Sequence, residues 1–529
     1  MARLSVGLEN AFQVALDRQN AGQLEEAERW YREILLAQPD FAEALYNFAR
    51  LRHAQGDLDE ALASFGGVLE LRPDDPDVLL NLGRVHQDGG RLEEAREFYE
   101  RALEVQPEHP NALAGLGKVH EALGRREQAA DCYQRLLSQR PDDPFVLNSL
   151  GVTLEALGQY DEALVHQRRA VALRPDYADA VYNLGYSLQG QGALEEALTC
   201  YQRTLGLAPD HAEALWGRAL ARLASGDFAG GWPDYEIRSS IRLVRPAAVQ
   251  PDLKFPMWRG ESLAGMRLLV LAEQGYGDQI QFARYLAMLA RQEAAVDVLA
   301  DEPMHRLLRS IDGVHRVVTG VARDSSDYDF WTLLLSLPLR FGTRVETIPR
   351  DVPYFKPAAD DLAKWSARLR ELPRGHLKVG LVWAGSRGYG LDRFRSMALE
   401  TLAPLGRVAG VSWVSLQTGA PVADIGGELQ RLPLLDLGGE MGDFADTAAL
   451  LANLDLMIAV DTAFAHLAGA LARPVWLLQS ARPDWRWIRG REDSPWYPTM
   501  RLMRQATLGD WTPVVARATR ELASLAGRA

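Results

Sequence analysis

One spacing constrains the first half of the chain more than any other feature. Proline stands at Pro39, Pro73, Pro107, Pro141, Pro175 and Pro209, always 34 residues apart. Glycine keeps the same step at Gly22, Gly56, Gly90, Gly124, Gly158, Gly192 and Gly226. Alanine follows each of the first six glycines by five residues, at Ala27, Ala61, Ala95, Ala129, Ala163 and Ala197. A sustained period of this length belongs to a unit that buries its apolar face only by stacking on copies of itself. Each unit reads as two short amphipathic helices. The glycine supplies the left-handed turn that ends the first, and the alanine marks where the two cross closely. The proline closes the unit, being poorly tolerated inside a helix and acceptable in a first turn.

This signature resembles the tetratricopeptide (TPR) repeat and covers about the first 226 residues, six to seven copies. The resemblance implies an all-α solenoid whose first helices line a concave groove suited to an extended peptide. Asn47, Asn81 and Asn183 each stand eight residues after a repeat proline. An amide both donates and accepts, so a ladder of them grips a peptide backbone whatever its sequence. The arrangement is similar to the asparagine ladder of the O-GlcNAc transferases, although Gly115, Ser149 and Gly217 interrupt it here. Cys132 and Cys200 lie two repeats apart in the slot that holds Trp30, Phe98 and His166 elsewhere. They read as packing residues rather than a metal or redox pair.

The 529 residues carry 58 Lys and Arg against 71 Asp and Glu, a net charge of −13, which argues against a dedicated nucleic-acid binder. Two cysteines fit a reducing compartment, and no apolar run approaches the length that spans a bilayer. Glu9, Asn10 and Gln13 stand where a signal peptide needs its apolar stretch, so a cytoplasmic location is expected. Residues 1–226 hold 22 basic and 36 acidic side chains, and residues 227–529 hold 36 and 35, so the acidity belongs to the repeats. The expected division is 1–226 for the array, 227–260 for a capping segment and linker, and 261–357 and 358–529 for two further lobes.

From about residue 262 the texture becomes alternating strand and helix. Apolar runs at 267–272, 296–300, 378–383, 411–416, 456–460, 474–478 and 500–503 predict strands of parallel sheets covered on both faces. Two Rossmann-like lobes leave a cleft at the carboxyl ends of their strands. The loop Glu273–Phe282 follows the first strand of the first lobe. Gly275 and Gly277 flank Tyr276 and let backbone approach a ligand, and Asp278 opens the next helix, as chemistry or as an N-cap. The loop after 456–460 presents Asp461, Thr462 and Ala463 at a helix start, an anion site by backbone geometry, with His466 one turn in.

Asp461-Thr462-Ala463 with His466 is similar to the D-[ST]-G-x-x-H motif of the heptosyltransferase-like, GT-B-fold glycosyltransferases of family 9, with Ala463 where the motif has glycine. The resemblance implies that this segment cradles a nucleotide-sugar diphosphate and that Asp278 is the general base. The layout also resembles bacterial TPR–glycosyltransferase fusions, including those that glycosylate flagellin. That likeness rests on Glu273–Tyr285, Gly380–Ser396, Asp443–Leu471 and Pro483–Pro498. In the loop after Trp383, Ser386, Arg393 and Arg395 offer phosphate or carboxylate contacts, or form an ordinary solvated loop. Ser415 and Gln417 stand where base or ribose contacts, or a plain strand-end turn, would lie. Trp485, Trp487 and Trp496 either wall the donor pocket or belong to the core.

The expectation is therefore a multi-domain protein, a TPR solenoid followed by an α/β glycosyltransferase of GT-B type. It would perform inverting transfer from a nucleotide sugar to a Ser or Thr hydroxyl of a protein held in the groove, with no metal and no further cofactor. A saccharide-building transferase and a non-catalytic scaffold are the alternatives. The oligomeric state, the sugar and the nucleotide are left open.

Overall fold

The computed structural model describes residues 2–240, 252–386, 388, 390, 392–419 and 434–527. It divides into two compact units, Met1–Leu188 and Gln189–Ala529. The repeat register runs unbroken through that division, so the last repeat helices pack as part of the second unit.

In the first unit each repeat is a helix pair, for example Pro76–Asp88 with Leu92–Val105. All seven repeat glycines have positive φ, from 73° to 90°, the conformation that stops the first helix of each pair. The alanines five residues later are wholly buried. Close crossing is enforced elsewhere too: a Cβ at Gly83 would stand 2.7 Å from the Tyr99 ring. Tyr31, Tyr99 and Tyr133 bury their rings between helices, and each donates its hydroxyl to a Gln or Glu twelve residues earlier, at 2.7–2.9 Å. Prolines at the first turn of inner helices are joined by aspartate caps, as Asp75 and Asp143 show. Cys132 is buried and Cys200 half-buried.

The second unit contains two parallel sheets. The first has strands β1 (Arg267–Leu271), β2 (Ala295–Leu299), β3 (Val314–Val318) and β4 (Phe330–Leu333), in the order β3-β2-β1-β4. The second has β5 (Leu377–Val382), β6 (Val411–Ser415), β7 (Leu434–Asp436), β8 (Leu456–Val460), β9 (Val475–Gln479) and β10 (Met500–Arg504), in the order β10-β9-β8-β5-β6-β7. Strand order reverses beside β1 in one sheet and beside β5 in the other. Such reversals open a crevice at the carboxyl ends of the strands. The loops after β1, β5 and β8 end at these crevices.

The segment read from sequence as a cap is an integral part of this unit. Phe228, Trp232 and Tyr235 are buried, and their rings meet Trp485 at centroid distances of 6.3, 5.4 and 5.9 Å. Arg238 then reaches the loop after β1. Its guanidinium pairs with Glu273 at 2.7 and 3.2 Å, both side chains having no solvent exposure. Ser336 Oγ accepts from Arg238, and the Leu335 N–H donates to Glu273. Burial disfavours charge on both members. Glu273 and Glu236 outweigh it at Arg238, whereas burial prevails at Glu273 and lifts its carboxyl above the usual range.

Candidate active site

Two short helices meet near their first turns at the crevice. Tyr276–Phe282 follows β1, and Ala463–Ala470 follows β8 directly. Gly277 makes the approach possible: a Cβ there would lie 3.0 Å from the His466 ring and 3.6 Å from Ala463 Cα. The loops around Asp278 and Asp461, 183 positions apart in sequence, are thereby brought together.

Asp278 has both carboxylate oxygens engaged. Oδ2 accepts from the Gly275 N–H at 3.0 Å, and Oδ1 pairs with Arg486. The Asp278 side chain remains 20% exposed. Arg486 lies almost fully buried and also donates to Gln281 Oε1 and Asp484 Oδ1, each at 2.7 Å. Burial alone would depress its pKa. The carboxylates of Asp278 and Asp484 outweigh that effect and raise it well above the ordinary guanidinium value. Arg486 therefore stays charged, and its charge is held against Asp278.

On the facing side, Asp461 Oδ2 accepts from Trp487 Nε1 at 2.7 Å, and its Oδ1 lies 3.7 Å from His466 Nε2. Burial by itself would raise the Asp461 carboxyl. His466, the Trp487 N–H and Arg395 together hold it below the usual carboxylate range. The buried His466 ring stacks on Trp487 with centroids 5.1 Å apart, and its Nδ1 is 3.0 Å from the Tyr497 hydroxyl. Those contacts fix the ring so that Nε2 is directed toward Asp461. Thr462 is the N-cap of the Ala463–Ala470 helix but makes no side-chain cap bond, and its Oγ1 is buried without a partner. A buried orphan hydroxyl is costly unless something else satisfies it.

Arg395 Nη1 donates to the Asp461 carbonyl at 2.6 Å and Nε to Asp392 Oδ1 at 3.0 Å, so this arginine joins the Asp461 loop. Arg393 and Ser386 are exposed on the same β5 loop, Arg393 lying over its neighbour Phe394. Ser415 and Gln417 are placed differently. Ser415 is fully buried, and its Oγ accepts from the Gln417 N–H. Gln417 Oε1 accepts from the Trp383 and Ala384 N–H groups, and its Nε2 donates to the Ala384 and Thr418 carbonyls. Its amide is saturated and ties the β5 loop to the β6 loop. Tyr276 packs its ring on Phe444 at 4.8 Å. Trp485, Trp487 and Trp496 are all core, with Trp487 alone bonding a residue of the Asp461 loop.

In the array, Asn47 is half-buried and donates to the Glu43 carbonyl. Asn81 is buried and donates to Tyr46 Oη and the Asp77 carbonyl, and Asn183 donates to Asn148 Oδ1. Each of these bonds lies within the solenoid, and Asn81 spends both of its amide hydrogens in them. Among the described residues, no group of three or more His, Cys, Asp or Glu could hold a metal ion. No described helix is long and apolar enough to cross a membrane.

The residues that sequence reasoning missed are Arg486 and Tyr497, together with the Arg238–Glu273 pair. Arg486 stands between two tryptophans in an aromatic- and arginine-rich stretch, and nothing in its neighbours marks it as the partner of a residue 208 positions earlier.

Tetratricopeptide-repeat families match residues 40–108, 74–142, 132–165, 154–192 and 182–231. The family described as glycosyltransferase family 9 (heptosyltransferase) matches residues 422–481, which include Asp461, Thr462, Ala463 and His466. The chain is similar to protein FlbA of Caulobacter vibrioides, 29% identical over 336 residues, covering 58% of this chain and 54% of FlbA. It thus spans about half the length of that curated relative. Among solved structures it is similar to YrrB, described as a TPR protein with an unusual peptide-binding site, at 27% identity and a TM-score of 0.33. That likeness covers 36% of this chain and 98% of YrrB. It is also similar to a tetratricopeptide repeat protein from Parabacteroides merdae, at 19% identity and a TM-score of 0.39, covering 46% and 95%.

Proposed function

We propose that this chain, a run of TPR repeats fused to a glycosyltransferase domain, transfers a sugar with inversion from a nucleotide-sugar donor to a Ser or Thr hydroxyl of a protein acceptor. Flagellin is the first acceptor to examine. The observation that carries the reading is the meeting of the Asp278 loop with the start of the Ala463–Ala470 helix, where the Thr462 hydroxyl is buried and unpartnered.

In this reading the donor diphosphate sits at that helix start. The first-turn N–H groups, the Thr462 hydroxyl and Arg395 receive its charge. His466, oriented by Trp487 and Tyr497, holds the Asp461 carboxylate beside that helix start. Asp278 takes the proton from the acceptor hydroxyl as its oxygen attacks the anomeric carbon. The bond from that carbon to the diphosphate breaks, and the nucleoside diphosphate leaves carrying the electron pair. Helix N–H groups and arginines then stabilise the leaving charge, a task that needs no metal ion. The repeats hold the acceptor, and the protein works in the cytoplasm, where nucleotide sugars are made.

The ion pair with Arg486 favours a second reading of one residue. Asp278 would then be a positioning residue that holds Arg486 toward the leaving group, and another group would take the proton.

The donor site has a direct test in Thr462→Val, which keeps shape and removes only the hydroxyl. Folding stability should not fall, since no partner within the chain is lost. Affinity for the nucleotide or nucleotide sugar that best stabilises the wild-type chain, chosen from UDP, GDP, ADP, their sugars and CMP-sugars by thermal shift, should fall about tenfold or more, as expected for a hydrogen bond to a charged group. Unchanged affinity would remove Thr462 from the donor site.

A further inference from the structure

The first unit carries a charge pattern on its inner helices that repeats with the 34-residue step. Three residues after each asparagine-ladder position stand Arg50, Arg84, Lys118, Val152 and Tyr186. All five are exposed. The rung is basic over three consecutive repeats and apolar over the next two.

These rungs belong to one continuous face. Side chains of neighbouring inner helices touch directly, through Asn81 to Tyr46 at 2.9 Å, His53 to Asp88 at 2.7 Å and Asn183 to Asn148 at 3.1 Å. Arg50 and Arg84 share a cavity of about 380 Å³ with His53, Asn81 and Asp88. Three carboxylates of these inner helices lie beside cations or a histidine: Asp88 by His53, Glu43 by Arg72 and Asp77 by His109. Among the described residues no ion pair is formed by Arg50, Arg84 or Lys118, whereas Arg32, Arg52, Arg96 and Arg169 of the same unit all have carboxylate partners. Three cations thus face a groove within an array that is otherwise strongly acidic.

We propose that this groove takes an extended acidic peptide, with carboxylates over Arg50, Arg84 and Lys118 and an apolar or aromatic side chain over Val152 and Tyr186. Charge complementarity selects the occupant. An array of net negative charge disfavours an acidic chain in general, and the three ladder cations offer it a register. Helices packed roughly 10 Å apart and a strand rising about 3.3 Å per residue put one acidic residue every third position, and about 12 residues over the five rungs. The inference rests on the reading that the repeats hold the protein acceptor, and it names that acceptor's chemistry.

The test uses the full chain and labelled synthetic peptides about 12 residues long, followed by fluorescence anisotropy at low and moderate salt. One peptide carries Asp or Glu at every third position in one half and Tyr in the other, and a second has Lys in place of the acids. The wild-type chain should bind the acidic peptide and discriminate against the lysine one. Arg50→Glu with Arg84→Glu, both exposed, should weaken the acidic peptide about tenfold or more and strengthen the lysine peptide. Equal binding of the two peptides, or no response to the double reversal, overturns the proposal. A separate assay of sugar transfer keeps the two readings apart. Transfer to the acceptor at the wild-type rate by the double variant would refute the groove assignment and leave the transferase reading intact. Peptide binding as expected with no transfer to any acceptor would do the reverse.

Discussion

Asp278→Asn is expected to lower the rate of sugar transfer by about 10²–10⁴-fold, the range that a positioned general base contributes. Donor affinity should change by less than about threefold, because the lost interaction is made with the acceptor in the transition state rather than with the bound donor. Asparagine retains an oxygen able to accept from the Gly275 N–H, so the start of the Tyr276–Phe282 helix is preserved. Arg486 keeps Asp484 and Gln281 as partners in the variant. Steady-state kinetics with donor and acceptor varied separately give the split. A loss carried in donor affinity rather than in kcat assigns Asp278 to holding Arg486, and undiminished turnover removes it from the chemistry.

Arg238→Met is expected to destabilise the second unit by about 3–5 kcal/mol, the range for removing one partner of a buried ion pair. The size follows from the geometry. Glu273 has no solvent exposure, and Arg238 supplies two of its hydrogen bonds. Without the guanidinium, the carboxylate is left with the Leu335 N–H in a site that water does not reach. Glu273→Gln in the same chain should recover most of the loss, since a neutral amide still accepts from Leu335 and carries no uncompensated charge. Urea unfolding followed by the fluorescence of the buried Trp485, Trp487 and Trp496 measures both. A double variant no more stable than the single one would show that packing of the Arg238 stem, rather than charge, holds this junction. Because Glu273 lies at the root of the Asp278 loop, the same pair anchors the last repeat segment to the crevice.

How much of this was legible in sequence depends on the distance over which each feature is determined. The repeats were legible because each glycine and proline acts within its own turn, and the positive φ at every repeat glycine is the physical content of that spacing. Seven strands were legible from continuous apolar runs and lie within a residue or two of their expected ends. β3 was not: its sequence Val-His-Arg-Val-Val turns His315 and Arg316 outward at a sheet edge, which breaks the apolar run. β4 was hidden because Phe330–Leu333 flows into further buried leucines, and β7 is three residues long.

The two strand-end loops could be read because each sets an aspartate between an apolar strand and a helix start, with Gly275 and Gly277 before Asp278 and Thr462-Ala463 after Asp461. What lies across from them could not be read. Arg486 reaches Asp278, and Trp487 reaches Asp461, only through the packing of the second unit. Gln417 illustrates the same limit from the other side. A glutamine at a strand end looks alike in sequence whether its amide faces a ligand or, as here, four backbone groups. The tryptophans were ambiguous for the same reason: Trp496 packs on Phe228 and Trp485 on Trp232, whereas Trp487 stacks on His466 and bonds Asp461.

The reading as a protein glycosyltransferase is tested most directly by the intact mass of flagellin purified from cells that contain this chain, cells that lack it, and cells that carry Asp278→Asn in its place. A mass raised by whole sugar residues is expected in the first, and the unmodified polypeptide mass in the other two. The same mass in all three would contradict that reading.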